Sequence, residues 1–126
     1  MTVLKRILIV DDEEELVSTL QERLELRGYS VIGVLDGKAA EAAVVQTDFD
    51  AVLLDVRLKG EDGIEVMQRL RDVRPTLPVL LITGHMSLGA GEAGRKAGAA
   101  DFVLKPVQLK ELIDKMNAAA AARPEA

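Results

Sequence analysis

Side chains capable of phosphoryl and metal chemistry stand at the ends of apolar segments of the chain. Asp11 and Asp12 follow the first apolar run, and Asp55 follows the third. Thr83 ends the fourth run, and Lys105 follows the fifth. Carboxylates bind hard cations, while a hydroxyl and an ammonium group bind phosphoryl oxygens. If these runs are parallel neighbouring strands, the five side chains meet at one edge of a sheet.

Three clustered carboxylates need compensating positive charge. At separations of about 4 to 5 Å, each pair repels by roughly 3 to 4 kcal/mol at an effective dielectric constant near 20. Lys105 supplies one positive charge. A divalent ion with oxygen ligands and retained waters is the natural second, so we expect Mg²⁺, with Mn²⁺ as an alternative.

Asp55 is the best candidate nucleophile among these acids. It ends an apolar run and would face the pocket, whereas Asp11 and Asp12 form a pair suited to metal and water ligation. The metal ion and Lys105 would neutralise an incoming phosphoryl group, and the Thr83 hydroxyl would bind one of its oxygens. In-line attack by the Asp55 carboxylate would then give an acyl phosphate.

The elements that must position these side chains are five strands and five helices in alternation. Short apolar runs without polar alternation are typical of strands covered on both faces. Segments with helical spacing separate them, such as Leu16, Leu20 and Leu24 after the first run. This pattern predicts an α/β fold with a doubly wound, five-stranded parallel sheet, whose chemistry gathers at the carboxyl ends of the strands. The apolar runs lie at residues 7–10, 31–35, 51–54, 79–82 and 102–104.

Composition excludes several classes of function. The chain has 126 residues with 16 basic and 21 acidic side chains, and its net charge of −5 disfavours nucleic acid and anionic lipid as partners of this domain. It has no cysteine and one histidine, so any metal must be held by oxygen. The sequence also lacks an apolar run long enough for a membrane span and any signal peptide. We therefore expect a soluble cytoplasmic protein.

These residues and their spacing resemble the receiver domain of two-component response regulators. The resemblance covers Lys5 to about Ala119. Its key positions are separated by 44, 28 and 22 residues along the chain. A pair of adjacent aspartates alone is weak evidence, but four matching segments at these intervals are very specific. The segments are Ile7-Leu8-Ile9-Val10-Asp11-Asp12, Leu53-Leu54-Asp55-Val56-Arg57-Leu58, Ile82-Thr83-Gly84 and Gly98-Ala99-Ala100-Asp101-Phe102-Val103-Leu104-Lys105-Pro106.

The resemblance implies a flavodoxin-like (βα)5 fold with strand order 2-1-3-4-5. It makes Asp55 the phosphoacceptor and implies that Asp12, Asp55 and the backbone carbonyl of Arg57 bind Mg²⁺ directly. Asp11 would act through metal-bound water.

The resemblance also implies roles for residues of the fourth and fifth strands. Thr83 and Lys105 would bind the phosphoryl oxygens, and Phe102 would be the aromatic switch residue that moves inward together with Thr83. The Lys105-Pro106 bond is expected to be cis.

Two features distinguish this chain within the family pattern. Lys59 occupies a position where relatives often have proline, so the loop after Asp55 is expected to be looser and to carry an extra charge. Arg57 and His85 stand two residues after Asp55 and Thr83, where side chains line the approach to the phosphoryl group. We expect these two residues to tune hydrolysis and access of the phosphodonor.

The resemblance implies a phosphorelay function rather than conventional enzyme catalysis. A sensor histidine kinase or phosphotransfer protein would supply the phosphoryl group, and slow autodephosphorylation would remove it. The surface of the fourth helix, fifth strand and fifth helix would then control a downstream output protein or domain, with a phosphorylation-dependent dimer as a further option. Residues 1–122 are interpreted as the receiver domain, and residues 123–126 as a tail or the start of a linker.

Other classes of function fit the sequence less well. A hydrolase of the haloacid dehalogenase type would have a second acid two residues after the nucleophile, where this chain has Arg57. A flavin carrier would need a phosphate-binding loop in place of Asp11-Asp12-Glu13 and aromatic residues to contain the ring. A receiver-fold interaction module that acts without phosphorylation remains the alternative. The three glutamates 13–15 are interpreted mainly as a first helical turn favoured by the helix dipole.

Overall fold

One parallel sheet forms the centre of the protein. The computed structural model describes residues 2–84 and 88–124 of the chain. Numbered in chain order, the strands of the sheet are β1 (Arg6–Val10), β2 (Ser30–Val34), β3 (Ala51–Asp55), β4 (Val79–Thr83) and β5 (Asp101–Leu104).

Five helices connect and follow these strands. Asp36 and Asp62 precede the second and third helices, and their carboxylates accept hydrogen bonds from the backbone N–H groups of Ala39 and Ile64 at 2.8 and 2.9 Å. These caps satisfy N–H groups that have no partner within the helix, which explains why the helices begin at Asp-Gly pairs. The helices are α1 (Glu14–Glu25), α2 (Gly37–Gln46), α3 (Gly63–Val73), α4 (Leu88–Lys96) and α5 (Leu109–Ala121).

The strand order is β2-β1-β3-β4-β5, and all neighbouring strands are parallel. The predicted α/β class, doubly wound sheet and strand order are therefore confirmed. Strand β1 pairs with both β2 and β3, so the chain reverses its direction of winding at this point. In open α/β sheets, ligands bind beyond the carboxyl ends of the strands at such a switch point.

Both faces of the sheet are covered, which explains the uninterrupted apolar runs. Ile7 and Ile9 belong to a cluster with side chains of α1 and α5, while Leu8 and Val10 belong to a second cluster with side chains of α2 and α3. Successive residues of a strand point to opposite faces, so an apolar residue is needed at every position. Strand β3, in the middle of the sheet, is buried along its whole length, including Asp55.

The connection from β3 to α3, which carries Lys59, contains its own backbone pairing. A short antiparallel pair joins Arg57–Leu58 to Glu61–Asp62, and the N–H of Gly63 donates to the carbonyl of Val56 at 2.7 Å. A Cβ atom on Gly63 would collide with the carbonyl of Asp55, so glycine is required for this approach. Pairing within the loop supplies a constraint in place of proline, and the looseness expected from Lys59 stays a prediction.

Arg123 attaches the end of α5 to the segments that precede β3 and β4, at the amino ends of these strands. Its guanidinium donates to Thr76 Oγ1 at 3.0 Å, to the carbonyl of Phe49 at 3.0 Å and to Asp48 Oδ1 at 2.9 Å. The Arg123 side chain is only 10% exposed. The domain boundary after Ala122 stays a prediction, but Arg123 is packed as part of the folded body.

None of the helices within residues 2–84 and 88–124 combines the length and the apolar character needed to cross a bilayer.

Candidate functional site

Three aspartates converge at the carboxyl edge of the sheet. Asp11 and Asp12 follow β1, and Asp55 is the last residue of β3. Each of the three offers a carboxylate oxygen within 4.8 Å of the others. Asp11 and Asp55 are buried, with 1% and 6% of their surface exposed, whereas Asp12 is exposed. The expected meeting of these acids is observed because β1 and β3 are adjacent parallel strands.

Backbone N–H groups orient the two buried carboxylates. Oδ1 of Asp55 accepts a hydrogen bond from the N–H of Arg57 at 2.9 Å, and Oδ1 of Asp11 accepts one from the N–H of Glu13 at 2.9 Å. Each carboxylate is therefore held by the turn that directly follows it in the chain. The second oxygen of each carboxylate remains directed at the charged groups of the site.

Lys105 links the acids from the end of β5. Its Nζ lies 3.1 Å from Asp55 Oδ2, 3.2 Å from Asp11 Oδ2 and 2.9 Å from Glu13 Oε1. The backbone N–H of Lys105 donates to the carbonyl of Thr83 at 2.9 Å, which connects the ends of β4 and β5. The Lys105-Pro106 bond is cis, as the family resemblance implied.

Burial and charge shift the pKa values of two groups in the site. Burial raises the pKa of Asp11 above its ordinary value, and the neighbouring charge of Asp55 adds to this, against the opposing effects of the Glu13 N–H and Lys105. Burial opposes the charged form of Lys105, but its contacts with Glu13, Asp55 and Asp11 outweigh this effect and raise the pKa of Lys105. Additional positive charge would favour the ionised form of Asp11, while Lys105 stays cationic.

An open cavity of about 230 Å³ lies above these groups. Thr83, at the end of β4, is partly buried and lines this cavity, and the exposed Arg57 forms part of its rim. The cavity is large enough for a phosphoryl group to approach Asp55 from solvent. His85, expected to tune the site together with Arg57, lies outside the described residues.

The donor set fits a hard divalent cation. Among the described residues, the buried Oδ2 atom of Asp11 has no hydrogen-bond partner and forms an ion pair with Lys105. Within the same part of the chain, Lys105 faces the carboxylates of the three aspartates and of Glu13, so a divalent ion would compensate the remaining negative charge. The pattern of carboxylate oxygens beside an open, solvated cavity suits Mg²⁺, which retains several water ligands.

Phe102 lies in β5, an edge strand of the sheet, and its ring contacts a side chain of α4. Its ring is partly buried against the second core cluster. The guanidinium of Arg95 lies 4.8 Å from the ring centroid, and Nζ of Lys115 lies 5.6 Å from it. Lys115 also donates to the carbonyl of Phe102 at 2.8 Å. Two cations, one from α4 and one from α5, therefore contact the ring, and such contacts stabilise its present position.

Two residues of this region were missed by sequence reasoning. Glu13 was assigned to a helical turn, but it precedes α1 as its N-cap and pairs with Lys105. Arg95 was not singled out, although it contacts Phe102. An acid at an N-cap position next to an acidic pair was the available signal for Glu13. The contact of Arg95 depends on packing between α4 and β5, which has no local signature.

The fold and this site define a doubly wound α/β domain with an acidic cluster and a lysine at its switch point. The family model described as the response regulator receiver domain matches residues 7–117 of the chain. The protein therefore belongs to the receiver domain family of two-component response regulators.

Two similar proteins are transcriptional regulatory proteins that are longer than the segment matched by this chain. The chain is 43% identical over 113 residues to the transcriptional regulatory protein TcrA of Mycobacterium tuberculosis, covering 90% of this chain and 45% of TcrA. It is 41% identical over 113 residues to the uncharacterized transcriptional regulatory protein YkoG of Bacillus subtilis, covering 90% of this chain and 50% of YkoG. The chain thus spans about half the length of these relatives.

Solved structures of receiver domains share the fold. A CheY-like receiver domain protein from Methanospirillum hungatei is 30% identical, with a TM-score of 0.87 and 94% coverage of both chains. A response regulator from Burkholderia pseudomallei is 26% identical, with a TM-score of 0.85 and coverage of 93% of this chain and 69% of the other. That structure contains a phosphorylated aspartic acid, a calcium ion and citrate.

Proposed function

We propose that this receiver domain accepts a phosphoryl group on Asp55 in a Mg²⁺-dependent phosphorelay. The observation that carries this proposal is the environment of the Asp55 carboxylate. It is 8% exposed, is oriented by the Arg57 N–H and contacts Lys105 at 3.1 Å. A buried carboxylate beside a fixed cation, at the base of an open cavity, is poised for attack on phosphorus. The phosphorylated aspartic acid of the Burkholderia relative supports the same chemistry.

In the transfer step, a carboxylate oxygen of Asp55 forms a bond to phosphorus as the bond from phosphorus to the donor nitrogen breaks. The electron pair of the broken bond stays on the histidine imidazole of the donor, which a sensor kinase or phosphotransfer protein would provide. Lys105 and the Thr83 hydroxyl bind the phosphoryl oxygens as the transferred group moves. Asp12, Asp55 and the Arg57 carbonyl would hold Mg²⁺, with Asp11 acting through water, and the ion would supply charge neutralisation.

Loss of the phosphoryl group follows by attack of water on phosphorus. The bond from phosphorus to the Asp55 oxygen breaks, which releases inorganic phosphate and regenerates the free carboxylate of Asp55. Arg57 stands at the rim of the cavity, and His85 follows Thr83 by two residues. We assign both residues to tuning the access of water and donor, which makes the domain a timed switch with slow self-dephosphorylation.

Phosphorylation would be transmitted to the surface formed by α4, β5 and α5. When Thr83 turns toward a phosphoryl oxygen, space opens for Phe102 to move inward from its contacts with Arg95 and Lys115. The exposed charges of this surface would then change their arrangement. This surface would control an output domain, a separate output protein or a second copy of the domain, within the cytoplasm.

Intact mass spectrometry after incubation with phosphoramidate tests the proposal. We expect one phosphoryl addition that requires Mg²⁺ and is absent from Asp55→Asn. Asp72→Asn serves as a matched control, because Asp72 is an exposed aspartate on α3. Absence of any addition to folded wild-type protein with Mg²⁺ would reject the proposal and favour an interaction module that works without phosphorylation.

A further inference from the structure

Glu13 is the exposed member of the three carboxylates that contact Lys105 in the described part of the chain. Its side chain is 61% exposed, compared with 2% for Asp11 and 8% for Asp55. It nevertheless makes the shortest contact, 2.9 Å from Oε1 to Nζ. Glu13 is the N-cap of α1 but forms no side-chain cap hydrogen bond. Its carboxylate contacts Lys105 and does not bind the N–H groups of the helix.

Carboxylate oxygens surround the ammonium group of Lys105 in this state. Nζ donates hydrogen bonds to Glu13 Oε1 at 2.9 Å and to Asp55 Oδ2 at 3.1 Å, and Asp11 Oδ2 lies 3.2 Å away as an ion-pair partner. A phosphoryl oxygen that approaches Nζ before Asp55 has reacted therefore competes with these carboxylates. Asp55 loses its charge only when it becomes an acyl phosphate, so its place on Lys105 is freed after the transfer.

The other two carboxylates, those of Asp11 and Glu13, keep their charge but differ in burial. Asp11 is buried and its other oxygen is held by the Glu13 N–H, so it cannot move away into water at low cost. Glu13 can, because its side chain is largely exposed and an exposed ion pair is weak. Glu13 is thus the carboxylate that yields to an incoming phosphoryl group.

We propose that Glu13 is a positioning residue that competes with the phosphoryl group for Lys105. It holds the ammonium over Asp55 in the unphosphorylated protein and must release it during the transfer, which lowers the phosphorylation rate. This inference rests on the proposed function of Asp55. Because the competing ion pair is exposed, its removal should raise the rate by about two- to fivefold.

The test compares Glu13→Gln with Glu14→Gln, which removes the same charge from the next residue, an exposed one in the first turn of α1. Initial rates of phosphorylation by phosphoramidate at saturating Mg²⁺ and the dissociation constant of beryllofluoride are measured for both. We expect Glu13→Gln to be faster and to bind beryllofluoride more tightly, by about two- to fivefold, and Glu14→Gln to differ little from wild type. Equal effects of the two variants would assign the change to overall charge and overturn the inference.

Two further variants separate contact from charge. Glu13→Asp keeps the charge but withdraws the carboxylate by one methylene, so we expect it to behave like Glu13→Gln. In a Lys105→Met background, Glu13→Gln should change the beryllofluoride affinity no more than Glu14→Gln does. A persisting effect without Lys105, or a slower rate for Glu13→Gln, would overturn the inference. Failure of the wild type to take up any phosphoryl group would instead reject the proposed function.

Discussion

Oε1 of Glu61 accepts a hydrogen bond from the backbone N–H of Gly37 at 3.0 Å, which attaches the loop after Asp55 to the start of α2. The other carboxylate oxygen binds Arg69 at 3.1 Å, and Arg69 also binds Glu41 of α2 at 3.1 Å. A Cβ atom on residue 37 would lie 2.8 Å from Glu61 Oε2, so glycine makes this approach possible. The loop that carries the proposed metal-binding carbonyl is therefore supported from two helices.

Glu61→Ala should weaken Mg²⁺ binding. The substitution removes the contacts to Gly37 and Arg69, so the loop that includes Arg57 loses its support. We expect the dissociation constant for Mg²⁺, measured by isothermal titration calorimetry, to rise by about tenfold, at the low end of effects seen for groups behind metal ligands. Glu65→Ala, at an exposed position of α3, is the control. Indistinguishable affinities of these two variants would contradict the supporting role.

Asp11→Asn should stabilise the metal-free protein at neutral pH. Because the pKa of Asp11 is raised on folding above 3.8, mainly by burial, the folded state binds this proton more tightly than the unfolded state. The resulting stabilisation is complete below pH 3.8 and is lost as the pH rises through the folded-state pKa. A neutral asparagine avoids the cost of the buried charge at pH 7. We expect a higher free energy of unfolding and a higher melting temperature for the variant than for the wild type at pH 7.

Thermal unfolding in the presence of a chelator, as a function of pH, measures this effect. The advantage of Asp11→Asn over wild type should shrink as the pH is lowered toward 4. Addition of Mg²⁺ should stabilise the wild type more than the variant, because the ion binds the acidic cluster. A variant less stable than wild type at pH 7 without metal would show that the ion pair with Lys105 outweighs burial. Asp72→Asn, at an exposed position, controls for the change in net charge.

Arg123→Ala should destabilise the whole domain. The guanidinium joins the end of α5 to Asp48, to the carbonyl of Phe49 and to Thr76, and it is largely buried. Loss of these bonds should lower the free energy of unfolding by about 2 kcal/mol. Urea denaturation compares this variant with Arg27→Ala, whose guanidinium binds only the nearby carbonyl of Arg23 among the described contacts. Similar midpoints for the two variants would refute this role.

Fluorine NMR can follow the proposed movement of Phe102. The chain has two phenylalanines, so protein labelled with fluorophenylalanine gives two signals, and the buried Phe49 serves as an internal reference. Beryllofluoride with Mg²⁺ should shift the Phe102 signal and leave Phe49 in place. The variant Phe102→Leu assigns the signals. An unchanged Phe102 resonance in protein saturated with beryllofluoride would argue against a switch at this ring.

Arg95→Ala should favour the inward position of Phe102 before phosphorylation. The Arg95 guanidinium lies over the ring at 4.8 Å, and a cation–π contact at an exposed site contributes about 0.5 to 1 kcal/mol. Its loss should raise the population of the inward ring by about two- to fivefold, observed as a shift of the fluorine signal toward the beryllofluoride-bound position. Lys110→Ala removes an exposed charge of α5 and should leave the signal unchanged.

Sequence patterns were sufficient for the strands and for the groups at their ends. Apolar runs in parallel strands are easily recognised, because both faces of the sheet must be covered. The order of the strands came from the family resemblance, and it brings Asp11 and Asp55 together with Lys105 as expected. The contacts of the loop after Asp55 were not predicted. The absence of proline at position 59 was visible in the sequence, but the antiparallel pairing within the loop and its attachment through Glu61 were not.

The sequence by itself determined the α/β class, the five βα units and the chemical types of side chain at the carboxyl edge of the sheet. These features follow from local periodicity and from the residue that ends each strand. Only the tertiary structure decided that Glu13 pairs with Lys105, that Arg95 lies on Phe102 and that Glu61 supports the loop after Asp55. Each of these contacts joins residues from different elements. Long side chains have many rotamers, and the packing of whole helices and strands selects which partner each one reaches.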